Sequence, residues 1–179
     1  MRARGIVAIA ASAGVMLMAS ACGDRGGEGA DCLPGASTNT PSGYCLPRYV
    51  TLKRGEVFGR KGPGTDYAPV FTYHARGLPV QIIDETTDWR RICDPDGGSA
   101  WVSSAMVDGR RNVMATGTAQ VALRASPSDA APAVAWLRPR ALATLGKRKG
   151  DWAQVSADGA TGWVKSSEVW GLNLAPQCK

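Results

Sequence analysis

A chain of 179 residues, 44% hydrophobic and 20% charged, has the composition of one or two globular domains rather than of a disordered segment. Its net charge of +6 falls to +4 once Arg2 and Arg4 are set aside, an excess that suits a soluble surface better than a nucleic-acid footprint. One histidine, no Cys-x-x-Cys spacing and no P-loop or dinucleotide glycine motif exclude the usual zinc, phosphate-loop and Rossmann chemistries.

Met1 to Gly5 carries two arginines, and Ile6 to Met18 is an uncharged, mostly apolar run of 13 residues. This predicts a secretory signal over residues 1–21, since a transmembrane helix needs about 20 apolar residues. Ala19-Ser20-Ala21 ahead of Cys22 resembles the lipobox of bacterial lipoproteins, with Ala19 standing where that family prefers Leu. The resemblance implies lipidation at Cys22 and anchoring of an exported, periplasmic protein. Gly23 rather than Asp after the cysteine implies the outer membrane as its address. The alternative is ordinary cleavage after the same tripeptide, which would release a soluble protein with a free Cys22.

Residues 22–46 are mostly small or polar without apolar periodicity, and read as a flexible tether. The chain has five cysteines, an odd number for an oxidising compartment. With Cys22 acylated, Cys32, Cys45, Cys93 and Cys178 remain and allow three pairings. Cys32 and Cys45 flank a short Pro/Gly/Ser/Thr loop, so their pairing is the simplest and leaves Cys93 for Cys178. Each bridge is expected to contribute about 3 to 5 kcal/mol.

Beyond the tether the sequence repeats. Asp88-Trp89 and Ala100-Trp101-Val102 return as Asp151-Trp152 and Gly162-Trp163-Val164, each pair spanning an Asp-Gly turn. Arg60 and Pro63 return as Arg124 and Pro127. The offsets are 64 residues at Arg60, 63 at Trp89 and 62 at Trp101. Two units of about 60 residues follow, over residues 47–111 and 112–172, with a tail at 173–179. A unit that small buries only roughly 60% of its unfolded surface, so the copies are expected to pack together or to be stapled.

In the first unit Tyr49–Leu52, Glu56–Gly59, Val70–Tyr73 and Leu78–Asp84 are predicted strands, with Pro79 at a strand start or edge. Gly62-Pro63-Gly64 predicts a type II turn, which places Pro and then Gly at its centre. Trp89–Cys93 and Ala100–Val102 form a hairpin around Asp94-Pro95-Asp96-Gly97-Gly98. The second unit repeats this layout with Ala119–Arg124, a turn at Ser126-Pro127-Ser128, Ala133–Leu137, Ala141–Lys147 and a hairpin around Asp158-Gly159. No segment after the signal has helical periodicity, so the expected class is all-β, two tandem small barrels.

Val121-Ala122-Leu123-Arg124-Ala125-Ser126-Pro127-Ser128 resembles the opening motif of bacterial SH3-like (SH3b) domains. Asp151-Trp152 with Val155 and Gly162-Trp163-Val164 resembles their closing hairpin. In the first unit Gly62-Pro63-Gly64-Thr65-Asp66-Tyr67 and Gly77-Leu78-Pro79-Val80 resemble exported tandem SH3-like proteins of the alphaproteobacterial type. Phe58-Gly59 departs from the Asn and apolar residue usual before the Arg. The resemblance covers roughly residues 48 to 172. It implies SH3-like barrels that bind cell-wall material or proteins, often beside a separate hydrolase domain.

No catalytic set is visible: His74 would need a nucleophile and an orienting group, and Cys93 is expected in a disulfide. The tryptophans and a basic run are the candidate ligand residues. Trp89 and Ile92 have opposite parity, as do Trp152 and Val155, so apolar Ile92 and Val155 filling the barrels would turn Trp89, Trp152 and Cys93 outward. The alternative role for each Trp is to cover its barrel's end, contributing about 1.5 to 3 kcal/mol. Arg138, Arg140, Lys147, Arg148 and Lys149 are expected near Trp152, as an anion-holding shelf or as a solvated basic face. The implied protein is a non-enzymatic, monomeric envelope module that binds peptidoglycan or an envelope protein, with no cofactor, metal or nucleic acid. The alternative is a periplasmic protein–protein adaptor without a glycan ligand.

Overall fold

The computed structural model describes residues 36 and 39–178; the predicted signal, Cys22 and Cys32 lie outside them. The first unit comprises β1 (Arg48–Leu52), β2 (Val57–Arg60), β3 (Pro69–Tyr73), β4 (Pro79–Glu85), β5 (Trp89–Cys93), β6 (Ser99–Ser103) and β7 (Val107–Asp108). The second comprises β8 (Asn112–Ala115), β9 (Val121–Arg124), β10 (Ala133–Leu137), β11 (Leu142–Lys149), β12 (Trp152–Ala157), β13 (Ala160–Lys165) and β14 (Val169–Trp170). The strands pair in the order β3-β2-β6-β5-β4-β1-β7 and β10-β9-β13-β12-β11-β8-β14, the same order twice. The helical content among the described residues is two three-residue 3-10 turns, Ser104–Met106 and Ser166–Glu168. The protein is therefore all-β.

Alternation along the strands builds each core. On β5, Ile92 is fully buried inside the first barrel beside Val80, Ile82 and Val102. On β12, Val155 does the same in the second barrel, beside Leu123 and Val164. At about 25 cal/mol per Å2 of apolar surface, each such side chain stabilises its barrel by roughly 1.5 to 3 kcal/mol.

The centres of the two barrels are filled differently. Gly59 faces Phe71 on β3, and a Cβ there would lie 2.7 Å from Ala100 Cβ and 3.0 Å from Tyr73 Cε2. In the second barrel Leu123 occupies the corresponding place, and Gly162 opposes it so closely that a Cβ would come within 2.9 Å of Leu123 Cβ. The departure at Phe58-Gly59 thus has a packing cause. The Tyr73 ring takes the space that Leu123 fills in the other copy, and its hydroxyl donates to Asp94 Oδ2 at 3.1 Å.

The barrels share their boundary. Along β8, Val113 and Ala115 enter the second core while Met114 enters the first, with Leu142 also packed against the first. Tyr49 and Trp170 meet edge to face with ring centroids 4.9 Å apart. Asn112 donates to the Gly77 carbonyl at 2.8 Å; Gly77 sits at φ +88, where an L side chain would be strained. The tail closes the joint. The fully buried Gln81 amide donates to the Asn173 and Ala175 carbonyls and accepts from the Gln177 N–H, and Cys93 is disulfide-bonded to Cys178. Cys93 does turn away from the barrel interior, as parity expects, yet it is fully buried because the tail covers it. Cys45 is also disulfide-bonded; its expected partner, Cys32, lies outside the described residues.

One turn differs from expectation. Gly64 does not have the positive φ that a type II turn demands of its second central residue. The Gly64 N–H instead donates to the Gly62 carbonyl at 3.0 Å, and the Tyr67 ring lies against Gly62.

Candidate functional site

Register sets three side chains in a row on the outer face of the first barrel. Arg60 on β2 opposes Trp101 on β6, and Trp101 opposes Arg91 on β5. Ala100 and Val102 are buried, so the half-buried Trp101 between them must face outward. A groove of about 650 Å3 runs over this row, lined by Arg60, Lys61, Val70, Phe71, Arg91, Ser99, Ala100 and Trp101. Val70 and Phe71, on the edge strand β3, stay 40% and 43% exposed along its wall. That volume lies within the range of small-ligand clefts.

Arg60 is the scaffold of the groove. Its Nη1 donates to the Thr65 carbonyl at 3.0 Å and to the Tyr67 carbonyl at 2.7 Å, fixing the loop that joins β2 to β3. Arg124 repeats this in the second barrel, donating to the Ala131 carbonyl at 2.8 Å. A charged donor on a backbone carbonyl is worth more than a neutral one, which accounts for Arg at this landmark in both copies. Arg91 is held more lightly, by an Nε to Ser99 Oγ contact of 3.3 Å.

The residues singled out in the sequence are dispersed. Trp89 is half-buried opposite Ser103, one step along the strand from the groove. Trp152 lies between Lys149 on β11 and Lys165 on β13. Lys165 Nζ sits 5.8 Å from the ring centroid and 2.6 Å from Asp129 Oδ1. The basic residues do not form one shelf. Arg138 and Arg140 precede β11 and Lys147, Arg148 and Lys149 end it, and an eight-residue strand rising about 3.3 Å per residue sets the groups roughly 20 Å apart. The expectation of neighbouring loops fails because the intervening segment is one continuous strand. Arg140, at φ 62, turns to the first barrel and grips Asp96 with two bonds of 2.7 and 3.0 Å. That pair holds the Asp96 carboxyl below its usual range.

A second polar site is buried in the first barrel at Glu85, which opposes Arg90, the residue before the groove's Arg91. Glu85 accepts from Arg48 Nη2 at 2.6 Å, from the Ser42 N–H at 2.9 Å and from the Ser42 hydroxyl; Arg90 Nε lies at 3.2 Å. Burial alone would raise the Glu85 pKa, but the hydrogen bonds from Ser42 and Arg48 outweigh it and hold it at about 2. This cluster anchors the start of the described chain to the barrel. His74 is exposed, and the Cys93 sulfur is bonded to Cys178, so the two form no dyad. Among the described residues no three His, Cys, Asp or Glu side chains are placed to share a metal ion.

The model of the bacterial SH3 domain matches this chain twice, over residues 53–109 and 117–171, more than half its length. The chain belongs to the bacterial SH3 domain family. The two matched spans take in β2–β7 and β9–β14, so each SH3 domain carries its Arg landmark and its paired tryptophans. A curated relative, the putative N-acetylmuramoyl-L-alanine amidase YrvJ of Bacillus subtilis strain 168, is 27% identical over 134 residues. That match covers 65% of this chain, which spans only 26% of the relative's length. The solved structures of NlpC1 and NlpC2 from Trichomonas vaginalis align with 70% and 71% of the chain and with 46% and 49% of their own. Both stand at 10% identity and a TM-score of 0.32.

Within this pair of SH3 domains the groove belongs to the first. The positions of Lys61, Phe71 and Arg91 are taken in the second by Ala125, Ala135 and Gln154, while Trp101 and Arg60 keep their counterparts Trp163 and Arg124. Sequence reasoning missed the groove because its lining comes from three strands and a loop, and only register brings Arg60, Arg91 and Trp101 into line. The signal that could have found it was the mismatch between the repeats at Lys61 and Arg91.

Proposed function

We propose that this protein is an exported, non-catalytic binding module that attaches to peptidoglycan or related envelope material through its SH3 domains, as a monomer. The observation that carries the reading is the open groove on the first domain, where Trp101 lies in register between Arg60 and Arg91 on the outer face. The likeness to a relative named for an N-acetylmuramoyl-L-alanine substrate supports a wall component as ligand. Export rests on the apolar run Ile6 to Met18, and periplasmic anchoring at the outer membrane on lipidation of Cys22.

Purified mature protein should co-sediment with isolated sacculi, and Trp101→Ala should lose most of that retention while Trp163→Ala keeps it. Absence of retention for the unaltered protein would count against wall binding. Metabolic labelling with a radioactive fatty acid should mark the protein and should fail in Cys22→Ala.

A second reading, a periplasmic adaptor, is favoured by one observation. The edge strands β3 and β10 leave Val70, Phe71, Val134 and Trp136 exposed, Trp136 at 60%. Such edges can accept a strand from a protein partner. In-cell crosslinking from position 136 that yields one dominant protein adduct would support it.

A further inference from the structure

We propose that residues 173–178 are a redox-released strap over an extended-peptide site on the first SH3 domain, with the Gln81 amide as its reader and the Cys93–Cys178 disulfide as its latch. The inference is independent of what the groove binds. Register sets Tyr49, Gln81, Cys93 and Ser99 side by side across β1, β4, β5 and β6. The tail crosses this row. Gln81 Nε2 donates to the Asn173 carbonyl at 3.2 Å and to the Ala175 carbonyl at 2.9 Å, and its Oε1 accepts from the Gln177 N–H at 2.9 Å. Positions 173, 175 and 177 have the period of an extended chain, and all three contacts are to backbone. Gln81 is fully buried, so its amide must find such partners in the folded protein. It recognises backbone spacing, two alternate carbonyls and the N–H that follows them, which any extended polypeptide can present.

The latch is what keeps the strap down. Leu172 is buried in the second core, but beyond it none of the side chains from Asn173 to Cys178 is buried. One amide's hydrogen bonds do not offset the conformational entropy of ordering residues 173–178. Cys93 is fully buried and Cys178 only half-buried, so a dithiol reductant reaches Cys178 first. One reductant thiolate attacks Cys178 Sγ and displaces Cys93 as a thiolate. The second reductant thiol then attacks the mixed disulfide and releases Cys178. The reductant leaves as a disulfide, and its two electrons and two protons reside on Cys93 and Cys178. The strap detaches, and Gln81 and Cys93 open to an extended segment of another polypeptide.

The second SH3 domain acts as an internal control. Its matching row is Asn112, Thr144, Ser156 and Thr161. Thr144, Ser156 and Thr161 are exposed, and the last two hydrogen-bond each other at 2.8 Å. Short hydroxyls stand where the first domain has the long amide and the latch sulfur, so backbone recognition belongs to the first domain.

The test has two arms, both on the mature full-length protein, with thermal melts showing that each sample is folded at the working temperature. In the first arm the protein reduced with dithiothreitol, and the variant Cys178→Ser, are treated with a maleimide and mapped by mass spectrometry. Cys93 should be labelled in both without denaturant. Labelling of Cys93 only after denaturation would overturn release of the strap. In the second arm a synthetic copy of Asn173-Leu174-Ala175-Pro176-Gln177-Cys178, activated as a thionitrobenzoate disulfide, is offered to Cys178→Ser. Capture of Cys93 is expected to saturate with peptide. It should be about tenfold faster than capture by the same peptide N-methylated at its glutamine, which removes the donor to Gln81. The variant's own strap competes equally with both peptides. Adding Gln81→Leu should abolish the difference, and alanine in place of the peptide's Asn and Leu should leave capture unchanged. Equal capture of the two peptides by Cys178→Ser, or loss of capture with the alanine peptide, would overturn the backbone-reading site.

Discussion

The two SH3 domains share a strand order and differ in what they place on it. Each uses an Arg to close its β-turn loop, a buried aliphatic residue on the Trp strand and an outward Trp on the next. The first adds a cationic aromatic groove, a buried Glu85 cluster and the disulfide to the tail. The second has Ala153 where the first has Arg90, and Ser156 where the first has Cys93. Ser156 is exposed, whereas Ala153 is fully buried in the second core, so the exchange at Arg90 replaces a partner of Glu85 by apolar packing. The second domain also supplies Met114 to the first core and the tail to its outer face, so it serves the first as a structural partner.

This contrast can be broken at several points. The largest effect is expected from Cys93→Ser, which opens a loop with a sequence separation of 85. The chain-entropy model puts the loss at about 4 to 5 kcal/mol, seen as a lower denaturant midpoint. A matching change at Ser156 should be near neutral. Next is Glu85→Gln, which leaves Arg48 buried without its carboxylate and should cost about 3 to 5 kcal/mol.

The same carboxylate sets an acid limit on the first domain. Its pKa is depressed on folding, so its stabilisation is fully present above the ordinary carboxyl value near 4.5 and is lost as pH falls from there through about 2. The shift corresponds to about 3 kcal/mol. Melting temperature followed from pH 6 to pH 2 should fall steeply in the unaltered protein, and the fall should be shallower in Glu85→Gln.

Smaller effects sharpen the comparison of the cores. Gly59→Leu overpacks Ala100 and Tyr73 and should destabilise by about 1 to 3 kcal/mol. The triple change Gly59→Leu/Ala100→Gly/Tyr73→Leu imports the second barrel's solution and should recover part of that loss. Arg140→Ala removes an exposed ion pair between the domains and should change stability by no more than about 1 kcal/mol, less in high salt.

The sequence pattern disclosed the fold almost completely, for a physical reason. Repeat landmarks such as Arg60 and Arg124 mark loop-closing contacts, and alternation around Ile92 and Val155 assigns inside and outside. Strands β7, β8 and β14 escaped that reading. Two are only two residues long, and β8 sends Val113 and Met114 into different cores, so both of its faces are apolar and no alternation shows. The site was much less legible. Trp89 and Trp152 were drawn out by parity, yet the groove lies at Trp101, whose orientation depends on hairpin register. The basic run near residue 140 divides because β11 continues through it.

Binding by the first domain alone is most directly tested with the side chains that distinguish the two grooves. The chain has six tryptophans, so their indole N–H signals can be followed individually by NMR as a soluble stem-peptide muropeptide is added. The expected result is a saturable shift of the Trp101 signal with Trp163 unmoved. An equal or larger shift at Trp163, or movement confined to Trp152, would contradict it.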